Sequence, residues 1–201
     1  MMKAAYSYDM IQAYLQQRTV VSLSGADSAL PTDGFLKIGL LPFIRRAGLS
    51  YYVMKPKASH EELASPEFQI CKGTRMRCDG GVWRDMKEGE ALQPDTKIEA
   101  LIETALREGR EELGINLSNI ICLFEIGAYN FTSASTGCSK QMWMFAAEVI
   151  DASDFLPAEE VAETTAQRGW VRAEEFASIG RFDHKPILAD IHAKLVRRFK
   201  D

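Results

Sequence analysis

Glu108, Glu111 and Glu112 sit within five residues of one another, with Arg107 immediately before them and Glu99 further upstream, separated from Arg107 by seven residues. On a helix, positions i, i+3 and i+4 share one face, so three carboxylates would project together from a single turn. Like charges at that spacing destabilise a helix by about 0.2–0.5 kcal/mol per pair, and only Arg107 and Arg110 stand close in sequence to offset them. A hard divalent cation would compensate. Mg²⁺, with Mn²⁺ as a substitute, takes a few carboxylate oxygens, keeps several waters and binds substrate phosphates at its remaining positions. Chemistry at a phosphorus centre would follow: polarisation of the phosphate, activation of water and stabilisation of the leaving oxygen. A Glu- and Arg-rich run is ordinarily a solvated face with i,i+4 pairs, as Arg107 with Glu111 would be; the fixed spacing from Glu99 onward is what favours the metal-binding reading.

These side chains need a helix to carry them. Ile98, Leu101, Ile102, Ala105, Leu106, Gly109 and Leu113 form one apolar stripe, which predicts a helix over Lys97 to Leu113. Pro94-Asp95-Thr96 is its start signal and Gly114 its stop. Phe35 to Arg46 and Ser50 to Lys55 predict a β-hairpin about Ala47-Gly48-Leu49. The short run Phe68 to Cys71 is broken by Lys72-Gly73, and the charged, glycine-containing stretch Gly73 to Thr96 is expected to be an exposed loop or insertion. Asn119 to Tyr129 and Gln141 to Ile150 predict two further strands, with Thr132 to Ser139 as the turn. An acidic loop, Pro157 to Gln167, precedes a strand at Arg168 to Val171 and helices at Ala173 to Ile179 and Pro186 to Phe199. At the other end, Tyr8 to Arg18 predicts an amphipathic helix and Ser24 to Gly34 a loop. Strands interleaved with helices in this order imply an α/β layered domain with a mixed sheet. Residues 1–34 form its N-terminal helix and lead-in, and 35–201 the main domain.

Bulk properties narrow the partners. The 201 residues, 46% hydrophobic and 26% charged, suit one globular domain. A net charge of −4 offers no clustered basic face, so no nucleic-acid polymer is expected as a partner. Cys71, Cys78, Cys122 and Cys138 contain no Cys-x-x-Cys pair, and nothing resembling a secretory signal precedes them. They are read as reduced thiols of a cytoplasmic protein. Apolar runs such as Met142 to Ala147 fall far short of a membrane span.

The segment from Glu99 through Ile115 resembles the Nudix box, whose pattern is Gly, five residues, Glu, seven residues, then Arg-Glu-apolar-x-Glu-Glu-x-Gly-apolar. Every position from Glu99 matches except the apolar one after Arg107-Glu108, which is Gly109. Glycine there lets the helix approach the sheet closely, at a propensity cost of about 1 kcal/mol relative to Ala. At the front of the motif the expected glycine would fall at Gln93. Phe68-Gln69-Ile70-Cys71-Lys72-Gly73 is similar to the family's aromatic-x-Leu-Pro-Lys-Gly strand end, with Cys71 in place of proline. The box glycine is therefore placed at Gly73, with an insertion through Thr96; Gly80-Gly81 is the competing placement. Gly169 to Phe176 resembles the family's strand-to-helix exit.

The resemblance implies a Nudix-type α/β/α sandwich and a pyrophosphohydrolase cleaving a diphosphate linkage in a nucleoside diphosphate-X substrate: a dinucleoside polyphosphate, ADP-ribose or a related nucleotide. It implies that Glu108, Glu111 and Glu112 hold the metal, while Glu99 and Arg107 support the loop-helix geometry. Glu163, in a loop with Glu159 and Glu160, is the first choice for a general base or further metal ligand. Lys72, Gly73 and Arg75 are the expected phosphate contacts. A homodimer is compatible with this reading. The alternative is a non-catalytic Nudix-fold nucleotide sensor, against which stand the intact glutamates and a tail after Ala173 too short for a winged helix. His184, in Phe182-Asp183-His184, reads as a packing or capping residue and Asp183 as a cap for the last helix. Trp143, Trp170, Phe131 and Tyr129 read as core aromatics more readily than as base-stacking residues.

Overall fold

Ile38 and Leu40 belong to one apolar cluster and Leu41 and Phe43 to another, and all four are fully buried. A strand apolar on both faces must lie between two covering layers. The computed structural model describes residues 4–17, 37–56, 67–87, 96–132, 137, 139–150, 155–156 and 165–200. Among these the elements run β1 (Ala4–Ser7), α1 (Tyr8–Gln17), β2 (Lys37–Ile44), β3 (Ser50–Pro56), β4 (Cys71–Thr74), β5 (Met76–Asp79), β6 (Val82–Asp85), β7 (Lys97–Ile98), α2 (Leu101–Leu113), β8 (Ile120–Thr132), β9 (Ser139–Val149), β10 (Thr165–Val171), α3 (Ala173–Ile179) and α4 (Lys185–Arg198). The main sheet is ordered β1-β8-β9-β2-β3-β10, with β4 also paired to β2. It is mixed, since β2 runs parallel to β9 and antiparallel to β3 and β4.

Period-two alternation distributes the core. Tyr52, Met54, Trp143 and Phe145 face the side covered by α2, where Ile11 of α1 also packs. Tyr51, Val53, Met142 and Met144 face the side covered by α3 and α4, against Phe176, Ile187, Leu188 and Leu195. The architecture is thus the expected α/β/α sandwich. No helix of the described residues is long and apolar enough to cross a membrane.

Several local expectations are corrected. Lys72-Gly73 does not break the strand after Cys71; both lie inside β4, where Gly39 opposes Lys72 and Ile38 opposes Gly73. The described part of Gly73 to Thr96 is not simply loop. β5 and β6 form a hairpin whose turn residues, Gly80 and Gly81, have φ of 58° and 87°, the left-handed pair that a tight hairpin turn requires. Its many charges are cross-linked: Arg77 and Arg84 both reach Asp79. The carboxylate helix starts at Leu101, because Lys97-Ile98 pairs with β5 as β7. At the sheet's edge, β1 pairs with β8, a strand that four short residues did not announce.

Gly109 explains how α2 approaches the sheet. It is buried, and a Cβ there would stand 2.5 Å from Leu40 Cδ2, itself fully buried in β2. Gly109→Ala gains about 1 kcal/mol of helix propensity but overpacks a filled interface, which costs about 1–3 kcal/mol. The expected result is a net destabilisation in urea denaturation; a net stabilisation would show that Leu40 yields freely.

Candidate active site

Glu99 anchors the start of the carboxylate helix. Its side chain accepts from the Met76 N–H (3.0 Å), the Thr104 hydroxyl (3.0 Å), and Arg107 Nε (2.9 Å) and Nη2 (3.1 Å). Glu103 accepts from the Ala100 N–H (3.0 Å), satisfying one of the helix's first donors. At the far end Gly114 takes a left-handed conformation (φ 74°) and donates to the Arg110 carbonyl, while Arg168 donates to the Leu113 carbonyl at 2.6 Å. Both ends of α2 are therefore fixed.

Arg107 is the hub between this helix and β4. Nη1 donates to Glu108 (2.6 Å) and Glu111 (3.0 Å), and Nη2 to the Thr74 carbonyl (2.9 Å). β4 supplies the floor. The Lys72 N–H donates to Glu112 Oε2 at 3.1 Å, and the Cys71 thiol donates to the same carboxylate. Opposite Glu108 lies Gly73, where an added Cβ would fall inside the Glu108 carboxylate. Hydrogen is the only side chain that allows this approach. Gly80 and Gly81, by contrast, have nothing within 4 Å of an added Cβ.

The electrostatics reflect crowding. Burial pushes the Glu108 carboxyl up to about 7, with the charges of Glu112 and Glu111 adding to the shift against Arg107. Glu112 is also raised, by burial first, against the Lys72 charge and the hydrogen bonds from β4. Lys72 and Lys37 are lowered by burial, opposed in both by nearby glutamates. Between the ordinary carboxylate value and about 7, folded protein therefore holds a proton at Glu108 that the unfolded chain has lost. The metal-free protein is expected to gain stability as pH falls from about 8 to about 5, and to lose it as pH rises through about 7. Glu108→Gln should flatten this dependence by about 2 kcal/mol, read from chemical denaturation across pH. An unchanged profile would place the proton elsewhere.

The chemistry of the donor set fits a hard cation. Three carboxylates share a turn of α2, two of them with their charged forms disfavoured by burial. Glu111 is half-exposed at 51%. Among the described residues no three acidic, His or Cys side chains close into a ready-made cage. Mg²⁺ does not need one, since one or two carboxylates with water and phosphate oxygens suffice.

Other residues singled out from sequence are placed as follows. Lys72 Nζ donates to Gln69 (3.1 Å), and Arg75 donates through Nε and Nη2 to the Glu99 carbonyl (2.9 and 2.7 Å). Glu159, Glu160, Glu163 and Cys138 lie outside the described residues. Lys37, which sequence reading did not select, reaches Thr74 of β4 with its ammonium and lies in the field of Glu108, Asp85 and Glu112. Its one signal is a lysine at the start of an otherwise apolar strand. Asp183 does not cap α4; it pairs with Arg181 at 2.7 Å, and His184 holds the N-cap position. Trp143 is buried in the core and Trp170 packs on Tyr52 and Phe155. Tyr129 donates to Asp190 at 2.6 Å, and Phe131 meets the His184 ring edge-on.

No family model and no curated protein matches the chain. Solved structures do. A C. elegans Ap4A hydrolase in a binary complex is similar at a TM-score of 0.54 and 15% identity, covering 81% of this chain and 98% of that one. The Nudix domain of Shewanella oneidensis NrtR complexed with ADP ribose is similar at 0.52 and 12%, covering 92% of this chain and 97% of that one. A Nudix hydrolase from Nitrosomonas europaea is similar at 0.50 and 17%, covering 79% of this chain and 90% of that one. At these identities the likeness is one of fold.

Proposed function

Because the chain has the fold of the Nudix hydrolases, we propose that it is a metal-dependent pyrophosphohydrolase acting on the diphosphate linkage of a nucleoside diphosphate-X substrate in the cytoplasm. The observation that carries this is the seating of Glu112 and Glu108 against the Lys72-Gly73 backbone of β4, with Glu111 held on the same turn by Arg107. Glu108, Glu111 and Glu112 would hold Mg²⁺ or Mn²⁺. A divalent ion bound there supplies Lewis acidity at a phosphate oxygen and a bound water of lowered pKa.

The protein's own groups set the geometry. Arg107 holds Glu108 and Glu111 from one side, and β4 holds Glu112 from the other through the Lys72 N–H and the Cys71 thiol. Lys37 and Lys72 bring positive charge beside the glutamates, as a polyphosphate chain requires. Arg75 contributes by holding the Glu99 carbonyl at the entry to α2, and is proposed as a phosphate contact only secondarily. Glu163 is retained as the proposed general base. The partner is a small nucleotide or polyphosphate, and a homodimer is compatible with the site.

The test is a panel of dinucleoside polyphosphates, ADP-ribose, sugar nucleotides and nucleoside triphosphates assayed with Mg²⁺, with product identification. The Ap4A for which the similar hydrolase is named, and the ADP ribose complexed with the NrtR domain, put those two classes first. Two phosphorylated fragments, formed only with metal, are expected. Saturable binding with no turnover under Mg²⁺ or Mn²⁺ would overturn hydrolysis in favour of a sensor.

A further inference from the structure

The strand residues leading into β4 have two edges. Gln69 exchanges hydrogen bonds with Met54 of β3, and Cys71 to Thr74 pair with β2, so the odd-numbered backbone groups face the sheet. The N–H groups of Phe68, Ile70 and Lys72 point to the other edge, where they could not be left buried and unmade. Phe68 donates to the Ile179 carbonyl (3.3 Å) and accepts from the Arg181 N–H (2.7 Å), a parallel bridge about Gly180. Gly180 closes tightly on the end of α3, where an added Cβ would stand 2.6 Å from both the carbonyl oxygen and the ring of Phe176. The Ile70 N–H goes to a side chain, Nδ1 of the fully buried His184, at 3.0 Å. The Lys72 N–H goes to Glu112.

We propose that His184 is a positioning residue of the active site, its Nδ1 standing in for a strand carbonyl on this edge so that the Lys72 N–H meets Glu112. The proposal rests on the functional reading above. Its geometry is that of a strand whose three outward donors are taken in turn by a connecting loop, an imidazole and a metal-site carboxylate. Slippage at the middle contact would reach the Lys72 N–H, two residues along the same backbone. Burial, with the Lys72 and Arg181 charges, pushes the imidazole well below its usual range, so the ring stays neutral and Nδ1 keeps its lone pair. Nε2 has no hydrogen-bond partner among the described residues, which leaves Nδ1 as the polar contact the ring makes.

Three variants separate acceptor position from packing. His184→Asn can place an amide oxygen where Nδ1 stands, His184→Gln places it where Nε2 stands, and His184→Leu removes the acceptor. Amide exchange at Lys72 and Mn²⁺ affinity are measured on each. The Asn variant should resemble wild type, while Gln and Leu should accelerate Lys72 exchange and weaken Mn²⁺ binding by about tenfold or more, the scale of losing an outer-shell support. Equal behaviour of Asn and Gln overturns the proposal, as does a Leu variant with wild-type Lys72 protection and Mn²⁺ affinity. Should the Leu variant not fold, the Asn and Gln pair decides alone. Wild-type protein that binds no Mn²⁺ and turns nothing over would sink the functional reading instead, and Lys72 exchange would still decide the role of His184.

Discussion

Glu112→Gln is expected to lower Mg²⁺-dependent turnover by about a thousandfold while leaving the protein folded. The size follows from the several kcal/mol that a metal ion supplies to transition-state charge, at about 1.4 kcal/mol per tenfold in rate. The fold should survive because the amide oxygen can still accept from the Lys72 N–H. Stability without metal should be unchanged or higher, since burial already disfavours the charged form of Glu112 and a neutral amide avoids that cost. Metal-induced stabilisation should shrink in parallel, because a ligand present at 100 times its Kd contributes about 2.7 kcal/mol to the folded state. Glu111→Gln makes a graded comparison. Glu111 is half-exposed and tied only to Arg107 in the contacts seen at this turn, so its loss should be the smaller of the two. Wild-type turnover in the Glu112 variant would remove this glutamate from the reaction.

How much of this was legible in the sequence depends on whether the information was local. The end of α2 was, because Gly114 adopts the left-handed conformation that stops a helix. α3 was also, its span Ala173–Ile179 matching the expected one. The start of α2 was not: pairing of Lys97-Ile98 with β5 overrode a local start signal at Pro94-Asp95-Thr96. The β5–β6 hairpin was hidden because Arg77, Asp79 and Arg84 look like loop charges until their ion pairs, that of Arg84 with Asp79 crossing the hairpin, are seen. At the site, the spacing of Glu108, Glu111 and Glu112 on one turn could be read directly. The groups that seat them could not. Lys37 meets Thr74, and Ile38 meets Gly73, through a strand register spanning some thirty-five residues of chain, and no local pattern encodes such a register.

Gly73→Ala should be as damaging as removing a carboxylate, although it removes no functional group. A Cβ at this position would fall inside the Glu108 carboxylate, and neither side has an easy retreat. Gly73 sits mid-strand opposite Ile38, so shifting the backbone would break β4 from β2 and carry the Lys72 N–H away from Glu112. Glu108 must therefore swing out and give up its 2.6 Å contact with Arg107. Mn²⁺ affinity and turnover are expected to fall by about 100-fold, the upper end for disturbing the support of a metal ligand, with a stability loss of about 1–3 kcal/mol from overpacking. Gly81→Ala supplies the opposite pattern. At φ 87° a side chain costs about 1–2 kcal/mol of strain, yet nothing lies within 4 Å of the added Cβ, so stability should drop while metal affinity stays within about twofold of wild type. The pair of substitutions thereby distinguishes the glycine that admits Glu108 to the strand from the glycine that merely turns a hairpin. Loss of metal binding in Gly81→Ala with retention in Gly73→Ala would transfer the role to the hairpin turn and undo the seating of the glutamates on β4.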